Sequence, residues 1–236
     1  MRVFTHSGDI GDTIYALPTL RAKGPSKLLL FNYPGRTYQA MTQSRRDKLA
    51  PLIEYQEYIT SCEFTHEFVD SSLNGWRDHL RNTGNTIDAH LATHGLGWEH
   101  RIEPWLKVPS VIKTTSVVMA WTPRHHSFDF PWRRFLETYE GDISYLGFPD
   151  DLEDFNNRYS QGLEPPKMVD AHDFMTIAQI VAGCKLYVGN LTSITAVAEG
   201  LKHYSIIEGY HSHTANNIYR PGLTVAYTSK VEFPKL

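Results

Sequence analysis

His6-Ser-Gly-Asp-Ile-Gly-Asp12, running on into Thr13-Ile-Tyr-Ala-Leu-Pro18, decides how this chain is read. An apolar run with Met1, Val3 and Phe4 precedes it. Ile14, Leu17 and Leu20 follow at a spacing of three, as on one face of a helix. The unit is a strand, a glycine turn and a helix. Gly8 and Gly11 permit backbone paths and a close ligand approach that a side chain would block. The turn carries Asp12 to a helix start, where free N–H groups favour anions. A carboxylate held there beside a bound hydroxyl suits a general base. A plain helix cap by Asp9 or Asp12 accounts for the same residues. The GxxGD spacing departs from the dinucleotide-binding fingerprint.

Outward from this unit, Lys27–Phe31 is nearly all apolar and reads as a second, buried strand, with a turn at Asn32-Tyr-Pro-Gly35. Residues 38–58 read as one or two helices interrupted at Pro51. Glu63–Val69 alternates loosely, as a strand does. Residues 70–100 resist organisation; Leu80 to Leu96 reads as a helix or as a loop lining a cleft. The two prolines of Pro104–Pro109 and the polar run Lys113–Ser116 mark a linker, after which a new pattern starts. Ser116–Trp121, Asp142–Gly147, Lys185–Gly189, Tyr204–Ile207 and Thr224–Tyr227 read as strands. Helices fall between them at Pro131–Tyr139, after Asp173 and at Ile194–Leu201; the acidic stretch after Gly147 is helix or loop. Strand–loop–helix alternation of this kind gives a parallel sheet with helices on its faces. The expected fold is α/β: two Rossmann-like lobes, residues 1–110 and 116–236, with a cleft between them. Ligands of such sheets sit outside the carboxyl ends of the strands. The loops there are Ser7–Asp12, Asn32–Arg36, Thr122–Asp129, Asn190–Ser193 and Glu208–His213.

Composition bounds the function. The 236 residues are 41% hydrophobic and 21% charged, ordinary for a globular chain with a core. A net charge of −3 gives no general reason to expect a nucleic-acid partner, although a local basic patch is compatible with it. Two cysteines are too few for a disulfide framework. No signal-type apolar segment opens the chain, and no run has the length to span a bilayer. A cytoplasmic location is expected.

Three places in this order resemble the heptosyltransferase-like glycosyltransferases of the GT-B fold. Ser7-Gly-Asp-Ile-Gly-Asp12 with Ala16-Leu-Pro18-Thr-Leu20 is similar to the family's N-terminal GD…LP-x-L signature. Val117–Trp121, a polar loop, then Pro131-Trp132 and Phe135 resemble its strand, phosphate-binding loop and helix. Tyr187-Val-Gly-Asn-Leu-Thr-Ser-Ile-Thr-Ala-Val-Ala-Glu-Gly-Leu201 resembles its turn and helix that hold the donor diphosphate. Leu191 and Ala196 stand where the family has Asp and His, and the polar loop offers Arg124, His125 and His126 in place of a lysine. The resemblance implies a GT-B-like fold reduced in size. It also implies an inverting, metal-independent transfer from a nucleotide-diphosphate sugar, a co-substrate rather than a cofactor. The acceptor would lie on the first lobe and the donor on the second. Asp12 matches the catalytic base, Gly11 the glycine that lets the base loop approach, and Thr192 and Ser193 the diphosphate turn.

The residues make chemical sense in those roles. Backbone N–H groups at Thr192–Thr195 can stabilise a leaving diphosphate without a metal; the other reading of Thr192 and Ser193 is a simple N-cap. Arg124 or His125 adds a cation, and a guanidinium grips phosphate in a fork. Asn190 belongs to the same turn. Glu208 follows a strand directly, and reads either as an acceptor for ribose hydroxyls or as a loop acid. The pairs His90/His94 and His211/His213 have spacings a metal can use but lack a further ligand frame, so no metal is expected. Tyr15, Trp98 and Trp105 read as stacking platforms or as core. Cys184 falls on the apolar face of its helix. The acceptor stays open among a glycan, a metabolite and a modified base in DNA. A nucleotide-sugar-binding protein without transferase activity, and a transferase acting on hydroxymethylpyrimidine bases, are the alternatives.

Overall fold

The computed structural model describes residues 2–32, 40–67, 73–209, 218, 220–226 and 229–236. Two parallel sheets organise them. The first has the order β1-β2-β3, with β1 at Arg2–His6, β2 at Ser26–Phe31 and β3 at Ile59–Thr65. The second has β4 (Val117–Ala120), β5 (Ile143–Tyr145), β6 (Lys167–Met168), β7 (Leu186–Gly189), β8 (Ser205–Glu208) and β9 (Leu223–Ala226). Its order is β6-β5-β4-β7-β8-β9, every pair parallel. Both faces of a parallel sheet must be covered. Here α5 (Trp132–Thr138) and α6 (Pro149–Tyr159) contribute Trp132, Phe135 and Phe155 to one face. On the other, α7 (Phe174–Gly183) and α8 (Ser193–Gly200) contribute Ile180, Val181 and Ala198. The last residues lie on α5, where Phe233 stacks on Phe135 and the Tyr139 hydroxyl donates to Pro234 O at 2.6 Å.

The helix α1 (Ile10–Lys23) shows why the opening stretch governs the chain. Every residue from Thr13 to Leu20 is buried. A helix apolar on one stripe covers one neighbour; a helix buried all round stands between several. α1 packs on α4 (Thr86–Thr93) and on α8 of the second lobe, and its Ile14, Leu17 and Leu20 share a core with Phe4, Leu28 and Leu30 of the first sheet. The helix α2 (Gln43–Glu54) likewise packs on α7. One apolar core therefore runs across the lobes, from Ile14, Leu17 and Leu20 through Trp105 and Leu106 to Phe174, Ala178, Ala196 and Val197. Each fully buried Leu or Ile in it is worth about 1.5–3 kcal/mol. The connecting strap is fastened to the second lobe. Gly200 O accepts from the backbone N–H of Trp105 at 3.0 Å and of Leu106 at 3.1 Å, and Gln179 O accepts from Ile112 N at 3.0 Å.

Several expectations are corrected. The third strand begins at Ile59 rather than Glu63 and runs to Thr65, because Ile59 and Cys62 supply its buried positions; Phe68 and Val69 lie outside the described residues. Pro51 does not interrupt its helix; it sits near the end of α2, where a lost N–H removes a single bond. Residues 80–96 hold no single helix. Two short ones, α3 (Trp76–Thr83) and α4, are separated by Gly84 in the left-handed region and by Asn85, whose side chain accepts from Asp88 N at 2.8 Å. The two-residue strand β6 was not expected at all. Most of the turn at Asn32–Arg36 and of the loop after Glu208, with His211 and His213, lies outside the described residues.

One buried and one partly buried histidine give the protein an acid limit. His203, on the loop after α8, lies 3.2 Å from Cys184 Sγ, and burial drives its ring down to about 4. His90 is held well below its usual value, first by burial and then by His6. Unfolded histidines take up a proton near 6.5, whereas these folded ones resist it. Stability is then present above pH 6.5 and lost as the pH falls toward 4. Melting temperatures between pH 7.5 and 4.5 should fall, and His203→Gln should flatten the slope.

Candidate active site

The turn carrying Asp12 is built by its neighbours. Asp9 caps α1 through its backbone, Thr13 N donating to Asp9 O at 2.9 Å, and its side chain makes no capping bond. His6, fully buried at the end of β1, accepts from Gly8 N at its Nδ1 (3.0 Å), and the Thr13 hydroxyl lies 3.1 Å from the same nitrogen. Nδ1 is thus an acceptor, which makes the ring neutral. Gly8 is squeezed between these groups: a Cβ there would collide with His6 Cε1 and stand 2.8 Å from Asp12 Cβ. Gly8→Ala is therefore expected to destabilise the protein by about 1–3 kcal/mol and to displace Asp12. A parent-like melting curve for that variant would contradict the packing described.

Gly11 faces the other lobe. A Cβ at Gly11 would stand 3.5 Å from Ser193 Cα and 3.9 Å from Ser193 N. The first turns of α1 and α8 thus meet at Gly11 and Ser193, 182 residues apart in sequence, and Asp12 is the next residue after Gly11. Thr192 is the N-cap of α8, its hydroxyl accepting from Thr195 N at 3.2 Å. The first-turn N–H groups of Ser193 and Ile194 precede that bond, and such groups have no partner within their own helix.

Asn190 and Glu208 are placed deeper than the residues beside them. Asn190 is fully buried; its amide donates to Thr122 O at 2.7 Å and His125 O at 3.3 Å, while its Oδ1 accepts from Thr122 N at 3.1 Å. Glu208 is the last residue of β8 and is also fully buried. Its Oε1 accepts from Ser127 N at 2.5 Å and lies 2.8 Å from His126 Nδ1; His126 Nε2 lies 2.7 Å from the Tyr159 hydroxyl. Both side chains thus fix the loop after β4, which carries Arg124 and His125. Arg124 Nε donates to His125 Nε2 at 2.7 Å. That loop and the Asn190–Ser193 turn are bound side by side, at the carboxyl ends of the adjacent strands β4 and β7.

The structure adds residues with no signal in the sequence. Arg77, on α3, has its guanidinium NH2 3.4 Å from Asp12 Oδ2. It stands 4.3 Å over the ring of Trp76. Tyr15 and Trp105 are buried in the core between the lobes, and Trp98 is exposed. Among the described residues no three His, Cys, Asp or Glu gather as metal ligands do, and no helix is long and apolar enough to cross a membrane.

No family model and no curated protein matches the chain. Solved structures do. The glycosyl transferase family 9 protein from Veillonella parvula DSM 2008 matches with a TM-score of 0.56 and 10% identity, over 95% of this chain and 84% of that one. The E. coli heptosyltransferase WaaC with ADP-2-deoxy-2-fluoro heptose gives 0.52 and 12%, over 96% and 93%. The iron-containing dodecameric glycosyltransferase TibC from enterotoxigenic E. coli H10407 gives 0.56 and 11%, over 98% of this chain and 63% of that one. At these identities the likeness is one of fold. The chain has the two-lobed GT-B-like architecture of these proteins in a smaller form.

Proposed function

We propose that the protein is a glycosyltransferase that moves a sugar from a nucleotide-diphosphate sugar to a hydroxyl acceptor, with inversion and without a metal. The observation that supports this reading is the approach of Gly11, the residue before Asp12, to Ser193 at the N-terminus of α8. Such a transfer needs a base for the attacking hydroxyl and stabilisation for the leaving diphosphate. Asp12 takes the hydroxyl proton as the acceptor oxygen bonds to the anomeric carbon. The diphosphate departs on the opposite face of the sugar, toward the N–H groups of Ser193 and Ile194. Arg124 and His125 supply cationic or hydrogen-bonding groups beside it, on the loop that Asn190 and Glu208 fix. The structurally similar WaaC protein, whose ligand is an ADP-sugar analogue, supports a nucleotide-sugar donor.

A thermal-shift panel of ADP, UDP, GDP, CDP and dTDP, alone and as sugar conjugates, tests the reading. A ligand at about a hundred times its dissociation constant stabilises the native state by roughly 2.7 kcal/mol, a shift of several degrees for a chain of this size. One base is expected to stand out. No response at millimolar concentration would remove the donor site. Binding without transfer to any glycan, metabolite or hydroxymethylated DNA would leave a nucleotide-sugar-binding protein.

A further inference from the structure

The segment that carries Arg77 is stitched to the turn that carries Asp12. Leu73 N donates to Thr5 O at 3.2 Å, and Ser7 N donates to Asn74 Oδ1 at 3.1 Å. The Asn74 amide donates back to the Ser7 hydroxyl. Beyond these bonds, rings are stacked in a row. The Arg77 guanidinium lies over Trp76, whose ring is 5.2 Å from His90, and His90 is 5.4 Å from His6. His6 closes the circuit by accepting from Gly8, two residues along the Asp12 turn. Trp76, His90 and His6 are all buried, so the row is braced by packing. Arg77, about half exposed, is the member that reaches Asp12.

We propose that Arg77 is the positioning residue of Asp12: a guanidinium braced on Trp76 that orients the carboxylate and keeps its negative charge at the acceptor side of the cleft. This rests on the reading of Asp12 as the base. A cation braced on a ring loses less rotamer freedom on holding its partner than a free side chain does. Among the described residues, the other titratable groups around the turn are Asp9 at the N-cap of α1, Tyr15 on α1 with Glu199 of α8 and Tyr187 of β7 beside it, His6 on β1, His90 on α4 and His94 at its C-cap. His6 is neutral by its hydrogen bonding, burial keeps the His90 ring unprotonated, and burial drives the Tyr15 phenol up. From α8, the neighbouring residue Ser193 brings no charge.

The test needs no substrate. The carboxyl carbon of Asp12 is followed by 13C NMR through a pH titration of the parent, Arg77→Gln and Arg77→Lys. Asp12 should titrate about one unit higher in Arg77→Gln, with Arg77→Lys between the two, while the melting temperatures agree. An unchanged titration in Arg77→Gln would overturn the proposal. Asp12→Asn, assayed for transfer with the donor found in the nucleotide panel, separates the two claims. Retained transfer there removes the base role, and with it the purpose given to Arg77. Lost transfer together with an unmoved titration removes the Arg77 role alone.

Discussion

Asp12→Asn is expected to lower sugar transfer by about 10²- to 10⁴-fold, the usual contribution of a general base. The amide has nearly the same shape as the carboxylate but cannot take up the acceptor proton. It fits the space beside Gly8 that already excludes a Cβ. The contact to Arg77 Nη2, 3.4 Å away and partly exposed, is weakened, and an ion pair of this kind contributes little, so the melting temperature should move little. Donor binding should persist, because the proposed diphosphate site is on α8. Single-turnover transfer rates and donor-induced thermal shifts, measured on one preparation, check both halves. Full transfer in the variant would remove Asp12 from the mechanism. Lost donor binding would mean that the substitution disturbs more than the base.

Glu199→Ala is expected to give the largest loss of stability. Glu199, on α8, is buried between two cations: Lys202 Nζ at 2.5 Å and Arg220 Nε at 2.7 Å. Arg220 also donates to His203 O at 2.7 Å, and Lys202 stands 4.2 Å over the Trp105 ring of the connecting strap. Burial pulls the Lys202 ammonium down to about 8 even though Glu199 opposes the shift. Removing the carboxylate strands two positive charges in the core, which costs about 3–5 kcal/mol for a broken buried pair. At roughly 2–4 °C per kcal/mol, the melting temperature should fall by about 10 °C. Adding Lys202→Met and Arg220→Met to the same chain should restore much of it, because an apolar replacement needs no counter-charge. A melting temperature within a degree or two of the parent would show that water reaches the network.

The second lobe was legible in the sequence because its strands are short continuous apolar runs, each bounded by a turn signal and followed by a helix. Val117–Ala120 and Leu186–Gly189 are buried at every position, so the apolar run and the strand coincide. Asp173 caps α7 as expected, accepting from Thr176 N at 2.7 Å. The region after Phe64 was opaque for a physical reason. α3 and α4 have eight residues each, and α3 has one buried side chain, Trp76. Two turns of mixed polarity carry too little periodicity to read. The site was legible only in part. The approach of Gly11 to Ser193 was foreshadowed because glycines and small polar residues mark where backbones come close. Arg77 and His6 left no such mark, since their parts come from contacts with residues far along the chain or from a hydrogen bond to a backbone N–H. Asn190 and Glu208 were visible as polar residues at strand ends, but spacing cannot tell a side chain aimed at a ligand from one holding the next loop.

The apolar core shared by α1 and α8 has a kinetic consequence. A transferase whose lobes swing apart admits its donor and releases its nucleotide through a rigid-body motion, often on the μs–ms scale. Here such a swing would pull Leu17 and Leu20 away from Ala196 and Val197 and expose surface to water. It would also break the two bonds that Gly200 O accepts from the strap. Under the proposed function, substrates would therefore come and go without that swing. The distance between the two sheets would stay fixed throughout such a cycle.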